Sequence, residues 1–318
     1  MSAATAIRFL FVTGKGGVGK TTVAAALALG FSRWGRKTLV VAGSGTSQLG
    51  RALATNVTTR PAEVAPGLHA ALIDPEEAMR EYVESAVGSK LVTDALFHQK
   101  FSGGFLHGIP GLRAWALLGK AWHYGNRSDS GPALVGAPYD IVILDAPATG
   151  DSTDLLRVPR IITELAPFGR LKKDAEDCWA MLTDPRQSAI VAVTLPEELP
   201  VTETTELIAV VRKDLGLPLG PLVVNQCSPP LLSLEARHKL ARASVEDDDP
   251  AVRSALLSGQ RRALREESEE QEVSRLSALG LELCRVPRLA QRPSGISGLA
   301  EVLEHLQGPF GFDRSAPG

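Results

Sequence analysis

The stretch Gly14-Lys15-Gly16-Gly17-Val18-Gly19-Lys20-Thr21 constrains this chain more than any other. It satisfies the whole G-x-x-x-x-G-K-[ST] phosphate-loop pattern. It also lies between an apolar, β-rich run, Ile7–Thr13, and an alanine-rich segment, Thr21–Trp34, that Gly35 would stop. Such a loop works only where a strand delivers it and a helix follows it. Successive backbone N–H groups and the helix dipole then converge on the phosphate oxygens. Gly14, Gly16, Gly17, Val18, Gly19, Lys20, Thr21 and Thr22 are therefore the candidate phosphate-binding residues. Lys20 would reach the β- and γ-phosphates, and the Thr21 hydroxyl would ligate Mg²⁺.

The rest of the chain agrees with that demand. Short apolar runs recur at Thr38–Ala42, Leu68–Ile73, Tyr139–Asp145, Ala189–Thr194, Leu219–Asn225 and Leu281–Val286, with helical spacing between most of them. Continuous apolar strands alternating with helices read as a parallel sheet covered on both faces. The expected class is α/β: a doubly wound, mostly parallel sheet of the P-loop NTPase kind, in one domain over 1–318. Ile141–Asp145 adds four apolar residues ending in a carboxylate at the carboxyl end of a strand. That is the place from which Asp145 would orient Mg²⁺, directly or through water.

Two regions break the rhythm. Helical patterns near Pro75–Val87, Ser89–Lys100 and Leu112–Tyr124 predict a helical insertion at about 74–135. It carries Leu96, Phe97, Phe101, Phe105, Leu106, Trp115, Leu118 and Trp122. These residues suit either a groove for an apolar helix of a client protein or the insertion's own core. Glu246–Gly280 reads as a long charged helix, with Arg261, Arg262 and Arg265 ahead of Glu266, Glu267, Glu269 and Glu270 on a solvated face of intrahelical pairs. Gly308–Gly318 is expected to fray.

Composition sets limits on partners. A formal net charge of −2 lacks the basic footprint of a nucleic-acid binder. No run approaches the roughly 20 apolar residues of a membrane span, so no stable membrane insertion is expected. Cys178, Cys227 and Cys284 stand alone in sequence, without a CxxC or a Cys/His cluster. Scattered thiols suit a cytoplasmic protein and argue against disulfides or structural zinc.

Phosphate geometry does not require a lysine directly after the first glycine of the loop. Lys15, within KGGVGKTT, resembles the deviant Walker A of the MinD/ArsA group of dimeric ATPases. Further stretches narrow the likeness to the ArsA-like ATPases: DAPATGDSTDLL (Asp145–Leu156), IDPEEAMREY (Ile73–Tyr82), PGLRAWALLGK (Pro110–Lys120) and LPEELPVTETTEL (Leu195–Leu207). VVNQ (Val223–Gln226) resembles the family's adenine-reading loop, in which Asn225 would contact the base. VPRL with GISGLAEVLEHL (Val286–Leu306) resembles the segment that covers the adenine, which adds Pro287 to the candidates. The resemblance implies ATP and Mg²⁺ as ligands and a dimer in which Lys15 crosses to the partner's nucleotide. That dimer would couple its ATP state to a client or partner surface on the insertion. Lys15, Lys20 and Asp145 are then the implied catalytic residues.

The sequence also departs from this family. Where switch I should carry the aspartate that orients the attacking water, the alignment places Ser44, with Thr46 and Ser47 close by. Serine is neutral and accepts a hydrogen bond less well than a carboxylate. ATP binding is therefore expected, whereas Ser44 leaves hydrolysis at this chain's own site open. The alternative is a non-hydrolysing regulatory subunit that pairs with an intact ArsA-like paralogue. In switch II, Asp151 and Asp154 replace residues that are often basic or aromatic in the family, and they read as ordinary acids near a helix N-terminus. The resemblance implies that arsenite binding needs cysteines gathered at the interface, and three isolated cysteines argue against arsenite as a ligand.

Overall fold

The structure, a computed structural model, describes residues 7–45, 48–87, 111–126, 139–166, 168–244 and 249–312. β1 (Phe9–Thr13) leads through the phosphate loop into α1 (Lys20–Arg33), followed by β2 (Thr38–Gly43) and a short α2 (Gln48–Leu53). A hairpin of β3 (Ala62–Ala65) and β4 (Leu68–Ile73) precedes α3 (Pro75–Val87) and α4 (Leu112–Gly125). Then come β5 (Ile141–Asp145), α5 (Thr149–Leu165), α6 (Arg170–Thr183), β6 (Ser188–Thr194) and α7 (Glu198–Ala209), which a wide π turn extends over Val210–Asp214. β7 (Leu222–Cys227), α8 (Leu234–Arg242), α9 (Pro250–Ser277), β8 (Leu283–Pro287) and α10 (Gly295–Phe310) complete the order.

The eight strands form one sheet in the order β3-β4-β2-β5-β1-β6-β7-β8, parallel except for the β3–β4 pair. The α/β class read from the sequence is the class observed. β3 lies outside the expected strands. Its four residues are exposed or half-buried at a sheet edge, so they carry no apolar run to reveal them.

Alternation along the strands divides the interior into two cores. Phe9, Phe11, Leu39, Val41, Val142 and Leu144 face a layer that includes α4, α5 and α7. Leu10, Val12, Val40, Ala42, Ile141 and Ile143 face α1, α2 and α10. Side chains at i and i+2 share a face, so each strand feeds both cores and reads as continuously apolar. α1 is alanine-rich, which lets it lie close against the sheet and bring the phosphate loop down onto the strand ends.

Three expectations meet a more specific outcome here. Trp115, Leu118 and Trp122 on α4 are buried in the same core as Phe9 and Phe11, so these three belong to the sheet's own packing rather than to an open groove. Leu96, Phe97, Phe101, Phe105 and Leu106, and the expected helix Ser89–Lys100, lie outside the described residues. In α9, Glu266 and Glu272 are buried, which corrects the reading of a wholly solvated face. Glu266 pairs with Arg262 at 2.7 Å and with Arg237 of α8 at 3.0 Å, and it accepts the Leu231 N–H. Glu269 takes both the N–H and the hydroxyl of Ser228 at 2.7 Å. The acids hold the chain that follows β7. At the other end, Phe312 sits edge-on to Phe31 at 4.8 Å, so the expected fraying does not begin at Gly308.

Among the described residues no helix is long and apolar enough to cross a membrane.

Candidate nucleotide site

The phosphate loop emerges at the carboxyl edge of the sheet, between central strands, and its shape depends on two glycines. Gly14 has φ +148°, and a Cβ there would stand 2.1 Å from the Val193 carbonyl oxygen of β6. Gly19 has φ +94°, and a Cβ would meet the Asn225 amide at 2.2 Å. The first contact is with backbone and has no side-chain escape. A side chain at either site is also strained by the backbone conformation itself. Val18 is buried beneath the loop, while Gly16 and Gly17 are exposed at its rim.

Lys20, the first residue of α1, donates from Nζ to the Lys15 carbonyl oxygen at 2.9 Å. Burial lowers its pKa, against the opposing pull of Asp145. A partly buried cation whose hydrogen bond goes to a carbonyl is poised for an anion. Thr21 donates its hydroxyl to Asp145 Oδ2 at 2.6 Å. Asp145 ends β5 almost fully buried, and its Oδ1 has no hydrogen-bond partner. Desolvation pushes the Asp145 carboxyl up to about 6, although the Thr21 bond and the Lys20 charge pull the other way. An orphaned carboxylate oxygen beside a hydroxyl, under a loop built for phosphate, fits a hard cation that takes oxygen ligands and draws the rest from water and substrate. Thr21 and Asp145 would hold Mg²⁺, which would neutralise charge developing on the phosphates.

A cavity of about 480 Å³ opens in front of this pair. Gly17, Gly19, Lys20, Thr21 and Thr22 form one wall. Gln48 and Arg51 of α2 form the second, and Arg292, Pro293 and Ser294 before α10 form the third. Ser294 donates to the Arg51 carbonyl at 2.8 Å and ties the last two walls together. Gln48, Arg51 and Arg292 are not among the candidate binding residues read from the sequence motifs.

Asn225 lies behind the loop. Its Nδ2 donates to the Val18 carbonyl at 2.8 Å, and its Oδ1 accepts the N–H of Gln226, a residue at φ +57°. Both ends of the amide are thus engaged, the donor end in supporting the phosphate loop. Asn225→Ala is expected to cost about 1–3 kcal/mol of stability in a denaturant titration, because it strips a buried acceptor of its donor. Pro287, at the end of β8, lies in register with Cys227.

Lys15 does not project freely. Its Nζ pairs with Glu203 of α7 at 2.7 Å, with both side chains about one-third exposed. Ser44, just past β2, donates its hydroxyl to Asp74 Oδ2 at 2.9 Å. Asp154 is exposed beside Arg157 at 3.8 Å, while the side chain of Asp151 and both Thr46 and Ser47 lie outside the described residues. Cys178, Cys227 and Cys284 are free thiols.

Comparison with known proteins identifies the family. The family model described as anion-transporting ATPase matches residues 7–170. ATPase BagA of Mycobacterium tuberculosis is 34% identical over 265 residues, which is 81% of this chain and 75% of that protein. The arsenical pump-driving ATPase of Acidiphilium multivorum is 29% identical over 264 residues, covering 74% of this chain and 42% of its own length. An arsenical pump-driving ATPase of Escherichia coli is 27% identical over 271 residues, or 77% and 43%. The family match spans just over half of the chain and the identity to BagA four fifths of it, so this protein belongs to the ArsA family of anion-transporting ATPases.

Proposed function

We propose that this chain binds and hydrolyses ATP with Mg²⁺ as a nucleotide-dependent dimer. Its ATP state is passed to a partner or client surface on the helices of 74–135. The observation that carries the reading is the Thr21–Asp145–Lys20 constellation: a hydroxyl, an orphaned carboxylate oxygen and a desolvated ammonium, all at one phosphate loop. Backbone N–H groups and Lys20 would bind the triphosphate, and Thr21 with Asp145 would hold the metal. The walls from α2 and the residues before α10 would exclude bulk water. In-line attack of water on the γ-phosphorus then makes the new P–O bond as the bond to the ADP oxygen breaks. Steady-state ATP hydrolysis by the purified chain, with Lys20→Ala as background, tests it. Turnover no higher than the variant's would overturn hydrolysis while leaving binding to be read from ATP titration.

Ser44 supports a second reading, a silent subunit that binds ATP and lends Lys15 to an intact paralogue. Absence of turnover alone, with turnover appearing on addition of such a paralogue, would select it.

In either dimer Lys15 must leave Glu203. An ion pair this exposed is worth about 0–1 kcal/mol. Glu203→Ala is therefore expected to leave the melting temperature nearly unchanged while shifting the ATP-dependent monomer–dimer balance toward dimer, as measured by light scattering.

A further inference from the structure

The departure at switch I leaves the attacking water without its usual carboxylate, and the fold places one nearby. β2 pairs with β5 so that Ala42 stands beside Asp145, and with β4 so that Ala42 stands beside Leu72 and Gly43 beside Ile73. The ladder continues one step further: the Ser44 N–H donates to the Ile73 carbonyl at 2.9 Å. Residues in parallel register share a face. Ser44 and Asp74 thus follow Ala42 and Leu72 onto the side of the sheet where Asp145 meets Thr21. Strand spacing and rise put the Ser44 and Asp145 Cα atoms about 8 Å apart, enough for a phosphoryl group and a water between them.

Asp74 is fixed for the task. Its Oδ1 accepts the N–H groups of Glu76 and Glu77 at 3.0 Å and caps α3. Its Oδ2 accepts the Ser44 hydroxyl. The Glu77 N–H, with smaller help from Ser44, Glu76 and Arg113 against partial desolvation, keeps the carboxyl ionised below its ordinary range. An ionised carboxylate that accepts the serine's hydrogen bond fixes the hydroxyl as donor to Asp74 and leaves the lone pairs of Ser44 Oγ free to accept.

We infer that Asp74, acting through Ser44, positions the water that attacks the γ-phosphate, replacing the absent switch I aspartate. This rests on the hydrolytic reading above. Ser44 Oγ accepts one water hydrogen and orients the oxygen toward phosphorus. The P–O bond to water forms, the electrons of the cleaved bond go to ADP, and the water's proton leaves with the phosphate product. Asp74 is a positioning residue and exchanges no proton.

The experiment measures kcat, KM and the affinity for a fluorescent ATP analogue in the wild type, Lys20→Ala, Asp74→Asn, Ser44→Ala and Ser44→Asp/Asp74→Asn. Asparagine still caps a helix, so Asp74→Asn is expected to fold. It should lose about tenfold or more in kcat, with nucleotide affinity within about twofold. Ser44→Ala, which leaves the cap untouched, should match it. Moving the carboxylate inward in Ser44→Asp/Asp74→Asn should restore turnover, which a purely structural role for Asp74 would not do. Wild-type kcat in Ser44→Ala or in Asp74→Asn, or no restoration in the double variant, would overturn the inference with hydrolysis intact. Wild-type turnover no higher than that of Lys20→Ala would overturn the hydrolytic reading and the inference together.

Discussion

Lys20→Ala is expected to lower kcat/KM for ATP by about a thousandfold or more, yet to leave the nucleotide-free protein at least as stable as the wild type. The two effects share one cause. Burial lowers the Lys20 pKa, so at neutral pH the folded protein carries a desolvated ammonium whose hydrogen bond goes to a carbonyl, that of Lys15. A lysine with a depressed folded pKa releases its proton more easily when folded than when unfolded. Its contribution to stability is therefore unfavourable below the folded pKa and recovers only as pH rises toward the unfolded value. Alanine removes that cost. The triphosphate uses what the apo protein tolerates, since a cation already stripped of water loses little on meeting an anion. ATP turnover and thermal melting with and without Mg·ATP check both halves. A variant that melted well below the wild type without nucleotide would show that Lys20 is a structural residue.

The phosphate loop and Asp145 were legible because their signals are local: eight consecutive residues, and four apolar residues ending in an acid. The central strands were legible for the same reason, each being buried on both faces. What escaped depends on topology. Lys15 and Glu203 are 188 residues apart, and Ser44 and Asp74 are 30 apart. Each pair meets only because parallel register brings strand ends, or the helix after a strand, to one edge of the sheet. Glu203 lay inside a recognised motif, which offered a hint of position and none of partner. Asp74 likewise lay inside a recognised motif, Ile73–Tyr82, but an acid before a helical proline reads first as a cap, which it also is. The charged run in α9 shows the converse limit. Composition announced a solvated helix, but Glu266 and Glu272 are buried, and Glu266 binds the Leu231 N–H and Arg237 across the chain while Glu272 pairs within the helix with Arg275.

Asp145→Asn should separate stability from function most sharply. The Asp145 carboxyl is pushed up to about 6 by burial, against an unfolded value near 3.8. An acid with a raised folded pKa stabilises the fold only while protonated. Its contribution is complete below the unfolded value and disappears as pH rises through the folded one, a swing of roughly 3 kcal/mol between about pH 4 and 7. Asparagine is isosteric, cannot ionise and can still accept the Thr21 hydroxyl. The nucleotide-free variant is therefore expected to be more stable than the wild type at pH 7 and equal to it near pH 4. With Mg·ATP the order should invert. The orphaned Oδ1 that makes the apo site costly is the oxygen a divalent cation would use, and a neutral amide replaces it poorly. A loss of about 100- to 1000-fold in kcat/KM, and of most of the Mg²⁺-dependent gain in melting temperature, follows from that replacement. Denaturation at pH 4 and pH 7, repeated with Mg·ATP, would sink the idea if the two proteins kept the same order in all four conditions. One buried carboxylate would then be neither a strain on the apo fold nor the anchor of its metal.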